Sequence, residues 1–366
     1  MSGSPRVSLL MPVHNRAHLL DQVLDRLVEN TTYENVELVT VDDGSTDGST
    51  EMLRRFAESG RFPSVNLIEH SPNRGAIASL NAALDAASGE LCVQLDDDVT
   101  IETPGWIERM VEFIQLDDTV GVVTGKVVFD SGDIHACGVN VVGEAGWHER
   151  TTTPAEPIGK RQWISRVEQR VPEGEGGEIE RRPAEVDSGI GCCMMYRRAD
   201  ALAVGGYDPN WSPVWFDDVD LCLKIRTLGR KVFYTPEARV IHHFVARRVP
   251  DRNLRERLRP RRVAAAIVRR VGKLLPQSVR RAVESRVNID LLAHYTIPQC
   301  ALLRHHHAYW RERWGWDARN PDMAEVRRRW GGTEICWATD PERRAAGERI
   351  VEAFEAMREQ RAIAAS

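Results

Sequence analysis

The feature that most constrains this chain is the alternation of short apolar runs with helix-periodic segments in its N-terminal part. Val7–Val13, Val36–Val41, Val65–Glu69 and Leu91–Leu95 have the length and apolar character of strands. Between them, Leu19–Val28 places Leu20, Val23, Leu24 and Leu27 at helical spacing, and Ser49–Phe56 and Ile77–Ala87 resume a helix. This alternation predicts an α/β fold, a mostly parallel, Rossmann-like sheet flanked by helices. Ligands of such sheets bind beyond the carboxyl ends of the strands. The polar clusters at Asn15, Asp43 and Asp96-Asp97-Asp98 all follow strand ends and are expected on one rim.

The pattern shifts to shorter β-like pieces over Val122–Val142. Residues 151–183 are rich in Pro, Gly, Glu and Arg and predict a mobile loop or insertion. Order is expected again at Ser188–Tyr196, with a helix over Trp215–Thr227 and a strand over Lys231–Thr235. From Arg247 to Arg286 arginines crowd around apolar residues at helical spacing. The expected division is therefore 1–245 and an Arg-rich, mainly helical C-terminal extension, 246–366.

At 366 residues, 42% hydrophobic and 28% charged, the composition is that of a globular protein, and a net charge of -5 argues against a nucleic-acid partner. The 7 cysteines include no Cys-x-x-Cys pair, which fits a reduced setting better than a disulfide framework or zinc knot. No apolar run approaches the roughly 20 residues that span a bilayer. A cytoplasmic protein is expected, with peripheral contact at the inner face of the membrane through the arginines as a further option.

Asp96-Asp97-Asp98 carries the most chemistry. Three acids directly after an apolar strand repel one another unless a cation sits among them, and carboxylates with substrate phosphates are ligands for Mn²⁺ or Mg²⁺. Asp96 and Asp98 share one side of an extended backbone, so one can hold the metal while the other meets the sugar or ribose. Asp43 can accept from a nucleobase or ribose, and Ser45, Thr46 or Asp47 can cap the next helix. Asp217-Asp218 opens a helix, where acids also complement the dipole; functionally, one carboxylate can be a general base. Trp211, Trp215 and Phe216 beside it offer an aromatic platform for a sugar on the acceptor side. His242 can complete a metal site or contact a diphosphate. His305-His306-His307 has no acidic partner nearby in sequence. Gly75, Gly125 and Gly205-Gly206 form no Walker or dinucleotide loop, which argues against an NTPase or dehydrogenase.

Taken together and in order, these residues resemble glycosyltransferase family 2. The resemblance runs through Val7–Arg16, Val41–Asp47, Asn73-Arg74-Gly75 with Asn81, and Leu95–Asp98 with Pro104-Gly105-Trp106. It continues through Gly205–Asp208, Asp217–Leu221, Gly229, Pro236 and His242, covering residues 5–245. It implies that 1–245 is a GT-A-type catalytic domain of an inverting, metal-dependent glycosyltransferase. The donor would be a nucleoside-diphosphate sugar, UDP by default, and the acceptor a glycan, lipid-linked or small-molecule hydroxyl. By the same resemblance Pro12, His14, Asn15, Asp43, Asn73 and Arg74 line the donor pocket. Asp96 and Asp98 match the Asp-x-Asp motif, with Asp98 the principal metal ligand; the extra Asp97 admits a one-residue shift. His242 matches a histidine near diphosphate or metal. Asp218 matches the catalytic base, with Asp217 as the alternative because the family pair is usually Glu-Asp. The rival readings are a sugar nucleotidyltransferase, which would normally carry a Gly-rich basic loop where Pro12–Ala17 stands, and a non-catalytic nucleotide-sugar or glycan-binding protein.

Overall fold

The apolar runs form the strands expected of them. In the computed structural model, which describes residues 4–140, 164–165, 171–213, 215–243, 297–315 and 341–365, the order begins β1 (Val7–Val13), α1 (Ala17–Asn30), β2 (Val36–Asp43), α2 (Ser49–Glu58), β3 (Val65–His70), α3 (Ala76–Ala86) and β4 (Leu91–Leu95). It continues with β5 (Val99–Ile101), α4 (Trp106–Ile114), β6 (Val120–Phe129), β7 (Ile134–Ala136), β8 (Val139–Asn140) and β9 (Ile164–Ser165). Then follow α5 (Gly177–Arg181), β10 (Ala184–Val186), β11 (Cys193–Arg197), α6 (Arg198–Ala203), α7 (Asp217–Arg226), β12 (Lys231–His242), α8 (Ile297–Trp314) and α9 (Pro341–Ala365).

One sheet runs β10-β12-β6-β11-β4-β1-β2-β3, with β5 added to β12 and β7 to β6. The pairs β1–β2, β1–β4 and β2–β3 are parallel, as the alternation requires. Beyond β4 the sheet is mixed: β11 is antiparallel to both β4 and β6. The reason is where β11 begins. Cys193 pairs with Leu95, so this strand starts at the rim and runs back down.

β1, β2 and β4 are buried almost throughout, being covered on both faces. α1 buries Leu20, Val23, Leu24 and Leu27 against the sheet, each such leucine or valine contributing about 1.5–3 kcal/mol. One carboxylate starts two helices. Asp47 Oδ2 accepts from the Ala17 N–H at the start of α1, and its Oδ1 accepts from the N–H and hydroxyl of Ser49 at the start of α2.

Of 151–183, residues 151–163 and 166–170 lie outside the described residues. Residues 171–183 are tied down by charge: Glu173 pairs with Arg239 at 2.7 Å and Lys126 at 2.7 Å, and buried Glu180 accepts from the N–H groups of Gly174 and Gly176. The arginine-rich stretch 246–286 also lies outside the described residues, and with it the expected membrane contact.

The chain divides into a unit of Met1–Phe244 with Trp316–Ser366 and a second of Val245–Gly315. In the second, α8 buries Leu303, His306, His307, Trp310 and Trp314. In the first, α9 joins the main core: Ile350, Val351 and Phe354 are buried, and Phe354 meets Phe113 with ring centroids 4.2 Å apart. Arg361 pairs with Glu112 at 2.9 Å, and Arg182 pairs with Glu348 and Glu355. Gly347 lets this helix approach β10, since a Cβ there would lie 2.1 Å from Glu185 Oε2. No described helix is long and apolar enough to cross a membrane.

Candidate active site

The ends of β1, β2 and β4 converge on the rim as the parallel arrangement dictates. At β2, the Asp43 carboxylate is buried and accepts from the N–H groups of Arg74 and Gly75, both at 2.8 Å, and from His70 Nδ1 at 3.0 Å. Burial opposes its charge, but the Arg74 N–H, His70, the Gly75 N–H and Ser79 outweigh it and hold Asp43 below the usual carboxylate range. Gly44 is at φ +69°, and a Cβ there would come within 2.8 Å of the Asn73 nitrogen, so only glycine lets the two loops touch.

His14 Nδ1 lies 2.9 Å from the Asp43 carbonyl oxygen, to which Asn73 Nδ2 donates at 2.9 Å. Asn15, at φ +53°, accepts from the Thr46 N–H at 2.8 Å and meets His14 Nε2 at 3.0 Å. Pro12 sits opposite Val41, and the Arg74 side chain is exposed. These expected donor-side residues therefore form one connected patch.

The acidic triad divides its labour. Asp97 turns to the loop after β1, accepting from the His14 N–H at 3.0 Å and Arg16 Nε at 2.7 Å. Asp98 Oδ2 lies 3.0 Å from Arg16, and its Oδ1 lies 3.1 Å from His242 Nε2. Burial opposes the charge on Asp98, but the hydrogen bond and charge of His242, with Arg16, hold it below the ordinary value. Asp96, Asp98 and His242 each offer a ligand atom, all within 4.8 Å of one another.

The sheet explains why a residue so late in the chain is there. β5 follows the triad directly and pairs antiparallel with β12, setting Val99 opposite His242, and the His243 N–H donates to the Asp98 carbonyl at 2.7 Å. The other ring nitrogen of His242 meets His135, whose pKa is held down to about 3, by burial first and then by His242.

Asp217 and Asp218 begin α7. Asp218 Oδ2 accepts from the Gly191 N–H at 2.9 Å and its Oδ1 from the Val219 N–H at 2.7 Å. Burial and then the charge of Asp218 push Asp217 up to about 8; burial and then Asp98 push Asp96 up to about 7. Burial raises Asp218 as well, and its charge reaches Asp96. Carboxyls packed so that their charges oppose one another form a place where a divalent cation is favourable. Two carboxylates with an imidazole suit such an ion, so the donor set fits.

Trp215 and Phe216 enter α7 at φ +76° and +74°, a left-handed pair that bulky residues rarely adopt. Trp211 is fully buried and stacks on Phe216 with centroids 5.0 Å apart, so it supports this turn, while Trp215 is half-buried.

Sequence reasoning did not single out Arg16, His70 or His135 as site residues. Arg16 closes the Val7–Arg16 motif, so its position was the available signal. His70 and His135 carry no local signal, since only strand pairing brings them in.

The Glycosyl transferase family 2 model matches residues 8–202, just over half of the chain. An uncharacterized protein y4gI of Sinorhizobium fredii is 29% identical over 272 residues, 74% of this chain and 28% of that one. The O-antigen biosynthesis protein RfbC of Myxococcus xanthus is 30% identical over 255 residues, 68% of this chain. The chain thus spans only 28% and 18% of the length of these relatives. The crystal structure of GalNAc-T7 with UDP, GalNAc and Mn²⁺ superposes with a TM-score of 0.51 at 16% identity, over 67% of this chain and 45% of that one, a likeness of fold. The family match runs through β1, β2 and β4, the strands whose ends build this rim, and the chain belongs to glycosyltransferase family 2.

Proposed function

We propose that this chain transfers a sugar from a nucleoside-diphosphate sugar, UDP-linked in the first instance, to a hydroxyl of a glycan, lipid-linked or small-molecule acceptor, inverting the anomeric centre. The observation that carries the reading is the meeting of Asp96, Asp98 and His242 within 4.8 Å, in a cluster of opposed carboxyl charges with Asp217 and Asp218. Mn²⁺ or Mg²⁺ would be held by Asp96, Asp98 and His242, the imidazole favouring Mn²⁺. When bound, it supplies neutralisation of the charge on the departing diphosphate.

The patch of Pro12, His14, Asn15, Asp43, Asn73 and Arg74 takes the nucleotide, with Asp43 towards the base. Asp97 holds the β1 loop to the triad and so shapes the donor side. Asp218 is assigned as the base that removes the acceptor hydroxyl proton. Its support is orientation: two backbone N–H groups fix its carboxylate and favour its charged form. Asp217 is the alternative base. Trp215 is the acceptor-side aromatic, with Trp211 behind it.

A nucleotidyltransferase has no support in the loop after β1, and a non-catalytic binding protein gives no reason to set the charge of Asp217 against that of Asp218. Contact with the membrane face through residues 246–286 is proposed from their arginines alone.

A panel of nucleotides and nucleotide sugars in thermal-shift assays, with and without Mn²⁺, tests the reading. A ligand at 100 times its Kd stabilises by about 2.7 kcal/mol. Metal-dependent stabilisation by one nucleoside diphosphate is expected, and none from any member of the panel would overturn the assignment.

A further inference from the structure

β7 is a short strand added to the rim end of β6, and its only evident chemistry is His135. The pairing of Ala136 with Val127 and of Ile134 with Val128 fixes it there. The His135 ring lies in a stack, 4.2 Å from Phe129 at 23° and 5.3 Å from His242 at 26°. Within that stack the Nδ1 atoms of His135 and His242 are 3.3 Å apart.

Two imidazole nitrogens at that distance share one proton. The Nε2 of His242 faces Asp98 Oδ1 at 3.1 Å, a carboxylate to which it can donate, and the proposed cation would take the place of that proton. A histidine that offers its Nε2 lone pair to a metal must carry its remaining proton on Nδ1. That proton then points at His135 Nδ1, which has to accept it. If His135 donated instead, the His242 proton would sit on Nε2 and block the ligand position.

We infer that His135 is a positioning residue: its Nδ1 accepts the Nδ1 proton of His242 and so keeps His242 Nε2 available to a divalent cation. The inference rests on the metal site proposed above. Metal-bound histidines are generally oriented by such an acceptor, whose loss weakens metal binding about 10–100-fold. The planar stack with Phe129 fixes the ring orientation.

The test is a titration of the full chain with Mn²⁺ alone, following free ion by electron paramagnetic resonance. His135→Phe keeps the stack and loses the acceptor, whereas His135→Asn places an amide oxygen near the former Nδ1. The expectation is about 10–100-fold weaker Mn²⁺ binding for His135→Phe, and affinity close to wild type for His135→Asn. Wild-type affinity in His135→Phe, or equal loss in both variants, would overturn the inference. A second measurement needs no variant: long-range ¹⁵N–¹H correlation of the wild-type chain with Mg²⁺ should show His242 protonated on Nδ1, and a proton on Nε2 instead would overturn it. If His242→Ala leaves wild-type Mn²⁺ binding unchanged, the metal reading itself fails, which is a separate outcome from the failure of His135.

Discussion

His242 Nε2 stands 3.1 Å from Asp98 Oδ1 because β5, the strand that begins one residue after Asp98, pairs with the end of β12. The two residues that would share a cation are thus held by one backbone ladder. Geometry fixed in this way requires little reorganisation on binding.

Asp98→Ala removes the carboxylate shared by Arg16 and His242. Transfer and metal-stimulated donor hydrolysis should both fall to background, and Mn²⁺ affinity should drop in the same titration. Near-normal turnover with Mn²⁺ would show that Asp98 is not a ligand.

Asp218→Asn is nearly isosteric but cannot accept a proton at neutral pH. Transfer should fall about 10²–10⁴-fold while donor and metal binding are kept. If Asp217→Asn carries the large defect instead, the base is the neighbouring residue. Early-time proton NMR of the product should show a β-linkage from an α-linked donor, and retention would rule out a single displacement for either aspartate.

Asp43→Ala should raise the donor KM more than it lowers kcat, because holding the base is largely uniform binding. The structure adds a second effect. The N–H groups of Arg74 and Gly75 lose their acceptor, which costs about 1–3 kcal/mol where such groups stay buried. Denaturant unfolding of the variant measures it, and unchanged donor affinity would remove Asp43 from the nucleotide site.

Glu37 supplies a pH dependence of stability away from the site. Burial opposes its charge, but the hydroxyl of Ser8, the N–H and hydroxyl of Ser88, and Arg6 lower it from 4.5 to about 2. A depressed pKa contributes stability that is complete above the unfolded value and is lost as pH falls towards about 2. Glu37→Gln should therefore cost on the order of 3 kcal/mol near neutral pH and progressively less in acid. Urea unfolding at several pH values checks this; a difference that does not shrink below about pH 4 would contradict it.

Phe354→Ala should destabilise the unit by about 3–5 kcal/mol, since the ring is fully buried against Phe113. Thermal unfolding would detect it, and an unchanged Tm would mean that α9 is not part of the core in solution.

The chain's own periodicity determined the strands and helices up to Leu95, and so that Asn15, Asp43 and Asp96–Asp98 lie on one rim. That much is local: apolar spacing selects strand or helix, and parallel strands put their carboxyl ends together. Asp96–Asp98 were legible as charges directly after an apolar strand, and Asp217-Asp218 as acids at a helix start that the family resemblance singles out. Strand pairing decided the rest. Nothing in the residues around Val99 announces that it will lie opposite His242, or that Cys193 starts beside Leu95 and brings the Gly191 N–H to Asp218. Nor does spacing tell that Trp211 is buried behind Phe216, or that Phe354 returns to the core beside Phe113. Such partners are chosen by long-range pairing and by competition for buried volume, and these depend on the whole folded chain rather than on any segment of it.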